Sequence, residues 1–214
     1  MESSRASFTK SKVNATPSRP LVRSSNNGDD VILLRHGETL FNVLFNKTRC
    51  DPGIRDPRLT QLGREQAAEA AHALASESVT HVLASPYTRA IQTANVVARA
   101  LNVPLVIDET IRERYSYSCD VGTPRSVLVT RWPEYAFAHL DDLWWPDDEE
   151  PLSLFQARCD AFRRRMAASS DWRTTVVVTH WGVVRALTGL RIKNGEMLRH
   201  DPTSEANGTA TLEP

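Results

Sequence analysis

Two short apolar runs that each lead into a histidine constrain the fold of this chain most. Residues 31–34 read Val-Ile-Leu-Leu and are followed by Arg35 and His36, and residues 174–179 read Thr-Thr-Val-Val-Val-Thr and are followed by His180. Unbroken β-branched runs of this length are typical of strands buried on both faces of a parallel sheet. Because ligand crevices of α/β sheets form at the carboxyl ends of such strands, both histidines are candidate site residues.

Helical periodicity separates the predicted strands. Within residues 62–76, apolar side chains recur at the spacing of one helix face, and Thr60 is predicted to cap that helix. Further strands are predicted over residues 79–84 and 103–107. Strands that alternate with helices indicate a three-layer α/β/α sandwich with a mostly parallel central sheet.

Arg89 is predicted to lie close to the same sheet edge. Ser85 and Pro86 follow the second predicted strand, and they suit the N-cap and the first turn of a helix. That helix would bring the Arg89 guanidinium towards the crevice beside Arg35. Two forked donors suit the oxygens of a phosphate. One arginine or histidine at a strand end is more often a surface group, so the prediction of an anion pocket depends on their combination.

Length and composition define the boundaries of the predicted domain. We expect one domain over residues 29–200 of the 214, with a disordered Ser-rich and cationic tail over 1–28 and a polar tail over 201–214. Poor periodicity and clustered Trp and acidic residues indicate an inserted lid over 115–153. We expect a cytoplasmic protein, and import into an organelle through the first tail is the alternative.

Several classes of function are excluded at this stage. The chain has 26 Lys and Arg against 26 Asp and Glu, so it has no global basic field for nucleic acid, and it contains no apolar run long enough for a membrane span. Three scattered cysteines argue against disulfides and a cysteine-rich zinc site. We therefore expect no metal and no cofactor. The predicted anion pocket favours a small phosphorylated molecule as the partner.

The motifs around these residues resemble those of the histidine phosphatase superfamily, the phosphoglycerate-mutase-like proteins. The signature is Arg35-His36-Gly37-Glu38-Thr39 followed by Asn42, and five specified residues occur by chance in such a chain on the order of 10⁻⁴ of the time. The resemblance continues in order to residue 199. It includes Leu-Thr-Gln-Leu-Gly-Arg-Glu-Gln-Ala at 59–67, Ser-Pro-Tyr-Thr-Arg-Ala-Ile-Gln-Thr-Ala at 85–94, Ile-Arg-Glu at 111–113 and Thr-His-Trp-Gly-Val-Val-Arg-Ala-Leu at 179–187.

The resemblance implies a role for each of these residues. His36 is the nucleophile that takes the phosphoryl group, Arg35, Arg89 and His180 hold the phosphoryl oxygens, and Glu113 donates a proton to the leaving oxygen. Glu109 is the rival for the proton donor. Asn42 is expected to contact the phosphate or to orient His36, although an Asn in a loop is more often a turn residue.

The chain also departs from the family pattern. Trp181 follows the second histidine where many relatives have glycine, and residues 115–117 read Tyr-Ser-Tyr where a glycine is expected. Trp181 is therefore either part of the leaving-group site or a core residue.

Phosphatases and mutases of this family share the same catalytic residues. Family mutases have a larger insertion between the acid and the second histidine and a covering C-terminal segment, and this chain has less material. We therefore predict a metal-independent phosphomonoester phosphatase that forms a phosphohistidine on His36. A phosphoglycerate-mutase-type phosphotransferase and a non-catalytic phosphate-ligand or partner-binding protein are the alternatives. The chain has no GxxxxGK[ST] loop, which excludes a fused sugar-phosphate kinase.

Overall fold

The structure is a computed structural model, and it describes residues 30–204. The predicted N-terminal tail, residues 1–28, lies outside the described residues, as do residues 205–214 of the predicted C-terminal tail. No helix within residues 30–204 is long and apolar enough to cross a membrane.

A five-stranded sheet with one antiparallel edge forms the centre of the fold. Its strands lie in the order β3-β2-β4-β1-β5, where β1 to β4 are parallel and β5 runs antiparallel to β1. Their bounds are Val31–Arg35, His81–Ala84, Leu105–Ile107, Thr175–Thr179 and Met197–His200. Because β1 and β4 are neighbours, with Arg35 paired to Thr179, the residues that follow both strands emerge side by side.

Helices cover both faces of the sheet, as the predicted three-layer fold requires. Within the described residues, the α-helices α1 to α6 are Leu40–Thr48, Gln61–Leu74, Thr88–Leu101, Arg125–Arg131, Leu152–Ala168 and Trp181–Thr188. Along β1, Ile32 and Leu34 belong to the core under α2 and α3, whereas Val31 and Leu33 belong to the core under α5 and α6. Successive strand side chains point to opposite faces, so a continuous apolar run serves both cores.

The start of α3 corrects one sequence prediction. The helix begins at Thr88 with Tyr87 at the N-cap, so Ser85 does not cap it and Pro86 lies before the first turn. The Asp56 carboxylate accepts from the Thr88 backbone N–H at 2.9 Å, while the Ser85 hydroxyl lies 2.8 Å from His180 Nε2. A distant side chain therefore satisfies the helix end, and Arg89 still lies in the first turn.

The segment over residues 115–153 contains α4 and contributes to the main core. Leu128, Phe137 and Trp144 are buried in the same cluster as the side chains of β2 and β4. Its apolar side chains thus contact the domain directly, and its role as a lid stays a prediction.

Candidate active site

His36 and His180 leave adjacent strands at the carboxyl edge of the sheet. The His36 backbone N–H donates to the Thr179 carbonyl at 3.0 Å, and the two imidazole ring centres lie 5.2 Å apart. Both side chains are buried. The structure therefore brings together the two histidines that the sequence predicted for one crevice.

The hydrogen bond of His36 determines which ring nitrogen is available for chemistry. His36 Nδ1 lies 2.8 Å from the Gly37 carbonyl oxygen, and a carbonyl can only accept. The neutral ring therefore carries its proton on Nδ1 and leaves the Nε2 lone pair free, and no group within residues 30–204 bonds to Nε2. Burial, with the nearby charges of Arg89 and Arg35, holds the pKa of His36 well below 6.5.

Arg35 is the last residue of β1, and its guanidinium forms one hydrogen bond within the described residues. Its Nη1 donates to the Ile192 carbonyl at 2.8 Å, while its buried Nε has no hydrogen-bond partner among the described residues. Burial lowers the pKa of Arg35 to about 10, although Glu113 opposes the shift. A guanidinium with unused donors in a dry site is suited to bind an anion.

Arg89 is held by the loop that precedes α4. Its Nη1 donates to the Cys119 carbonyl at 2.7 Å, and its Nη2 forms an ion pair with Asp120 at 3.1 Å. Asp120 in turn accepts from the Ser116 and Tyr117 backbone N–H groups. Both side chains of the ion pair are at most 3% exposed, so this buried pair fixes the direction of the guanidinium.

Glu113 lies in the cleft beside the N-terminus of α6. Its carboxylate accepts from the Gly182 backbone N–H at 2.9 Å and from the Arg114 N–H at 3.0 Å. Burial and the charge of Asp120 raise its pKa above 4.5. A Cβ on Gly182 would lie 2.3 Å from the Glu113 carboxylate oxygen, so only glycine allows this contact.

The rival acid does not reach the site. Glu109 begins a short 3-10 helix that ends at Ile111, and it does not line the cleft. The structure therefore places Glu113 in the cleft and Glu109 outside it.

One ring nitrogen of His180 has a hydrogen-bond partner, and the other has none among the described residues. Its Nε2 lies 2.8 Å from the Ser85 hydroxyl, and its buried Nδ1 has no partner among residues 30–204. Burial and the charge of Arg89 hold its pKa well below 6.5. A neutral imidazole with an unpaired polar nitrogen is able to bond to a ligand.

The interpretation of Asn42 as a loop residue is wrong, because it lies in the first turn of α1. Its amide oxygen accepts from the Thr39 backbone N–H at 3.0 Å, and the Thr39 hydroxyl accepts from the Asn42 N–H. This reciprocal capping box holds the start of the helix. The Asn194 amide joins it by donating to Asn42 and, at 3.1 Å, to the His36 carbonyl.

Trp181 is the first residue of α6, and it is half-buried where it lines the cleft. The guanidinium carbons of Arg185 and Arg191 lie 5.0 and 5.8 Å from its ring centre. Trp181 is thus at the cleft wall and not in either core cluster.

The loop after His36 is held by residues whose role was not predicted. The Gly37 N–H donates to the Thr93 hydroxyl at 3.1 Å, and the Glu38 N–H donates to the Gln66 amide oxygen at 2.8 Å. A Cβ on Gly37 would lie 2.2 Å from the Gly63 carbonyl oxygen, so the loop touches the α2 backbone directly. The motifs at 59–67 and 85–94 therefore position the loop that carries His36.

All seven predicted residues line or adjoin one cleft of about 530 Å³, a volume usual for sites that hold small organic molecules. The cleft is lined by Arg35, His36, Asn42, Arg89, Glu113 and Trp181, and His180 contacts its floor through the His36 ring.

Within residues 30–204 no group of three or more His, Cys, Asp or Glu side chains is placed to hold a metal ion. The absence of a metal requirement stays a prediction.

The chain is thus a three-layer α/β protein that brings two histidines and two arginines to one sheet edge, and this set of side chains is suited to an anion. The chain belongs to the histidine phosphatase superfamily (branch 1), whose model matches residues 31–206. The sequence resemblance to this family is thereby confirmed.

The chain is also similar to individual proteins and to solved structures. The chain is 30% identical over 162 residues to Phosphoglycerate mutase-like protein 4 of Arabidopsis thaliana, covering 74% of this chain and 69% of that one. It is 29% identical over 180 residues to Glucosyl-3-phosphoglycerate phosphatase of Mycolicibacterium vanbaalenii, covering 78% of each. A solved mycobacterial glucosyl-3-phosphoglycerate phosphatase is similar with a TM-score of 0.51 and 25% identity, over 74% of this chain and 77% of that one.

Proposed function

We propose that the protein is a phosphatase that hydrolyses phosphomonoesters of small metabolites, with His36 as the nucleophile. The observation that carries the proposal is the free Nε2 of His36, in a ring whose proton is held on Nδ1 by the Gly37 carbonyl. Similarity to a protein named glucosyl-3-phosphoglycerate phosphatase supports the reaction class.

In the first step, the Nε2 lone pair of His36 attacks phosphorus and the bond to the leaving oxygen breaks. Arg35, Arg89 and His180 stabilise the charge that spreads over the three remaining phosphoryl oxygens. Glu113 gives its proton to the leaving oxygen, so an alcohol departs. The raised pKa of Glu113 keeps more of it protonated for this purpose.

In the second step, water replaces the alcohol. The Glu113 carboxylate takes a proton from the water as its oxygen attacks phosphorus, and the bond to Nε2 breaks. Inorganic phosphate leaves, His36 returns to its neutral form and Glu113 is protonated again. The low pKa of His36 favours its release as a neutral leaving group.

A mutase of the phosphoglycerate type remains the second candidate, because one relative is named as phosphoglycerate mutase-like. Such an enzyme must return the phosphoryl group to its substrate before water reaches it. In this chain the cleft mouth includes the exposed side chains Arg49 and Arg191, so water has access from that side. We therefore favour hydrolysis over transfer.

The test of the proposal uses 4-nitrophenyl phosphate and a rapid quench into alkali, which preserves phosphohistidine. We expect a phosphorylated peptide containing His36 in the wild type, and no label and at least about a 10³-fold lower turnover in His36→Ala. His139→Ala is the matched control, because His139 is exposed and lies outside the cleft. A label on Ser or Cys, or full activity in His36→Ala, contradicts the proposal.

A second measurement distinguishes the candidates. Incubation with 3-phosphoglycerate, followed by phosphorus NMR, reports free phosphate for a phosphatase and 2-phosphoglycerate for a mutase. Binding of phosphate without turnover of any phosphomonoester would instead identify a non-catalytic phosphate-binding protein.

A further inference from the structure

Two arginines in the outer part of the cleft each lie over an aromatic ring. The guanidinium carbon of Arg49 is 6.0 Å from the centre of the Phe45 ring, and that of Arg191 is 5.8 Å from the Trp181 ring. All four side chains line the cleft. Arg49 is the C-cap residue directly after α1, and Arg191 follows α6, so two separate parts of the fold supply similar pairs.

Unlike Arg89 and Arg114, which line the same cleft, these two cations have no acidic partner among residues 30–204. Arg89 is neutralised by Asp120, and Arg114 forms an ion pair with Glu149 at 2.8 Å. Among residues 30–204, neither Arg49 nor Arg191 forms an ion pair with an Asp or Glu side chain. Both are exposed, so their charges are available to a ligand in the cleft.

Three aromatic side chains that line the same cleft form a cluster around Phe45, the ring that Arg49 covers. Phe41 and Phe45 stack with ring centres 5.5 Å apart, and Tyr117 packs edge-on against Phe45 at 5.1 Å. Phe45 and Tyr117 are partly exposed, and such rings in a cleft favour an apolar or planar group. These rings thus add an apolar surface to the cleft.

We propose that Arg49 and Arg191, with Phe45 and Trp181, form a subsite for an anionic leaving group. The inference rests on the proposed function and narrows it: the substrate is a phosphomonoester whose alcohol carries an apolar or planar body and a second negative charge, as carboxylate or phosphate. The cleft of about 530 Å³ is much larger than one phosphoryl group requires. Guanidinium groups bind the oxygens of either anion.

The experiment compares two aryl phosphates that differ in one charge. The probes are 4-(carboxymethyl)phenyl phosphate and its carboxamide, with the corresponding phosphonate to separate carboxylate from phosphate recognition. The variant combines Arg49→Asn with Arg191→Gln, because Asn tolerates the left-handed backbone of position 49, where φ is 57°. Arg164→Gln is the control, since it removes an exposed positive charge outside the cleft.

We expect the wild type and the control variant to prefer the carboxylate over the carboxamide by roughly tenfold in kcat/KM. The double variant should lose that preference, because its kcat/KM for the carboxylate falls to the value it has for the carboxamide. Equal kcat/KM for both probes in the wild type, or a preference that survives in the double variant, overturns the subsite while leaving the phosphatase in place. No turnover of any probe overturns the proposed function itself, and this inference with it.

Discussion

At the scale of single residues, Glu113 and Glu109 make the sharpest comparison, because only Glu113 lines the cleft. Glu113→Gln removes the proton that a poor leaving group needs. We expect hydrolysis of an alkyl phosphate to fall by about 10²–10⁴-fold and that of 4-nitrophenyl phosphate to fall much less. Steady-state kinetics with both substrates measure this, and Glu109→Gln is the matched control. Leaving-group dependence in Glu109→Gln alone would reverse the assignment.

Asp120 is a positioning residue whose removal changes two neighbours at once. Asp120→Asn removes the charge paired with Arg89, so we expect kcat/KM to fall by roughly tenfold. The Asp120 charge also raises the pKa of Glu113, so its removal lowers that pKa. Activity on an alkyl phosphate requires protonated Glu113, so the loss of activity with rising pH should begin at lower pH.

The pH profile of kcat/KM distinguishes this role from a merely structural one. Asp141→Asn serves as the control, because Asp141 is exposed and outside the cleft. A lower rate with an unchanged alkaline limb, or a limb displaced to higher pH, would contradict the coupling of Asp120 to Glu113.

Sequence patterns predicted the residues at strand ends well and their supports poorly. Arg35, His36 and His180 follow runs whose burial is evident from their composition, so their place in the crevice follows from the parallel sheet. Asp120 and Asn194 have no such signal. They are 31 and 158 residues from their partners Arg89 and His36, and only the folded chain brings them together.

At the scale of elements, the patterns located the four parallel strands with α2 and α3, and they missed α1, α4, α5, α6 and β5. Helix α1 contains Phe and Val, which are poor helix formers, and its stability depends on the capping box between Thr39 and Asn42. Strand β5 has only the four residues Met197–His200, and its pairing with β1 fixes it. Short elements that depend on distant partners lack a local periodicity to detect.

The contact between α2 and the loop after His36 predicts an unusual response to Gly63→Ala. In a helix, Ala is intrinsically favoured over Gly. Here a Cβ on residue 63 would lie 2.1 Å from the Glu38 carbonyl oxygen, so we expect the substitution to lower the free energy of unfolding by at least about 1 kcal/mol.

Urea unfolding measures this change. His72→Ala, at an exposed position in the last turn of α2, is the control and should remain within about 0.5 kcal/mol of the wild type. A Gly63→Ala variant that is more stable than the wild type would show that the close approach to Glu38 is not required.

At the scale of the whole molecule, phosphate binding should stabilise the fold. The net charge of the chain is zero, whereas the floor of the cleft concentrates Arg35 and Arg89. Inorganic phosphate at 100 times its Kd contributes about 2.7 kcal/mol. We expect this to raise Tm by about 5–10 °C for a domain of this size.

Thermal unfolding with phosphate, and with chloride at equal ionic strength, measures that effect. The variant Arg89→Gln should lose most of the phosphate-specific increase. An equal increase in Tm with chloride, or an undiminished increase in Tm with phosphate in Arg89→Gln, would mean that the anion stabilises the protein by a general effect and not at the cleft.

Activity should not depend on a divalent metal. Arg35 and Arg89 would supply the charge that metal ions supply in other phosphoryl-transfer enzymes, and His180 would add a hydrogen bond. Turnover of 4-nitrophenyl phosphate after dialysis against EDTA should therefore equal that of the untreated protein. Loss of turnover that Mg²⁺ or Zn²⁺ restores would contradict the proposed mechanism.

The backbone contact between Gly37 and Gly63 also bears on how the protein loses activity on heating. The loop that carries His36 is bonded to Gln66 of α2 and to Thr93 of α3, so it has its shape only while both helices are docked on the sheet. Cooperative unfolding of a single domain would then remove the nucleophile and the helices together. Thermal inactivation and the loss of helical circular dichroism are expected to follow one curve, with no heat-inactivated species that keeps its secondary structure.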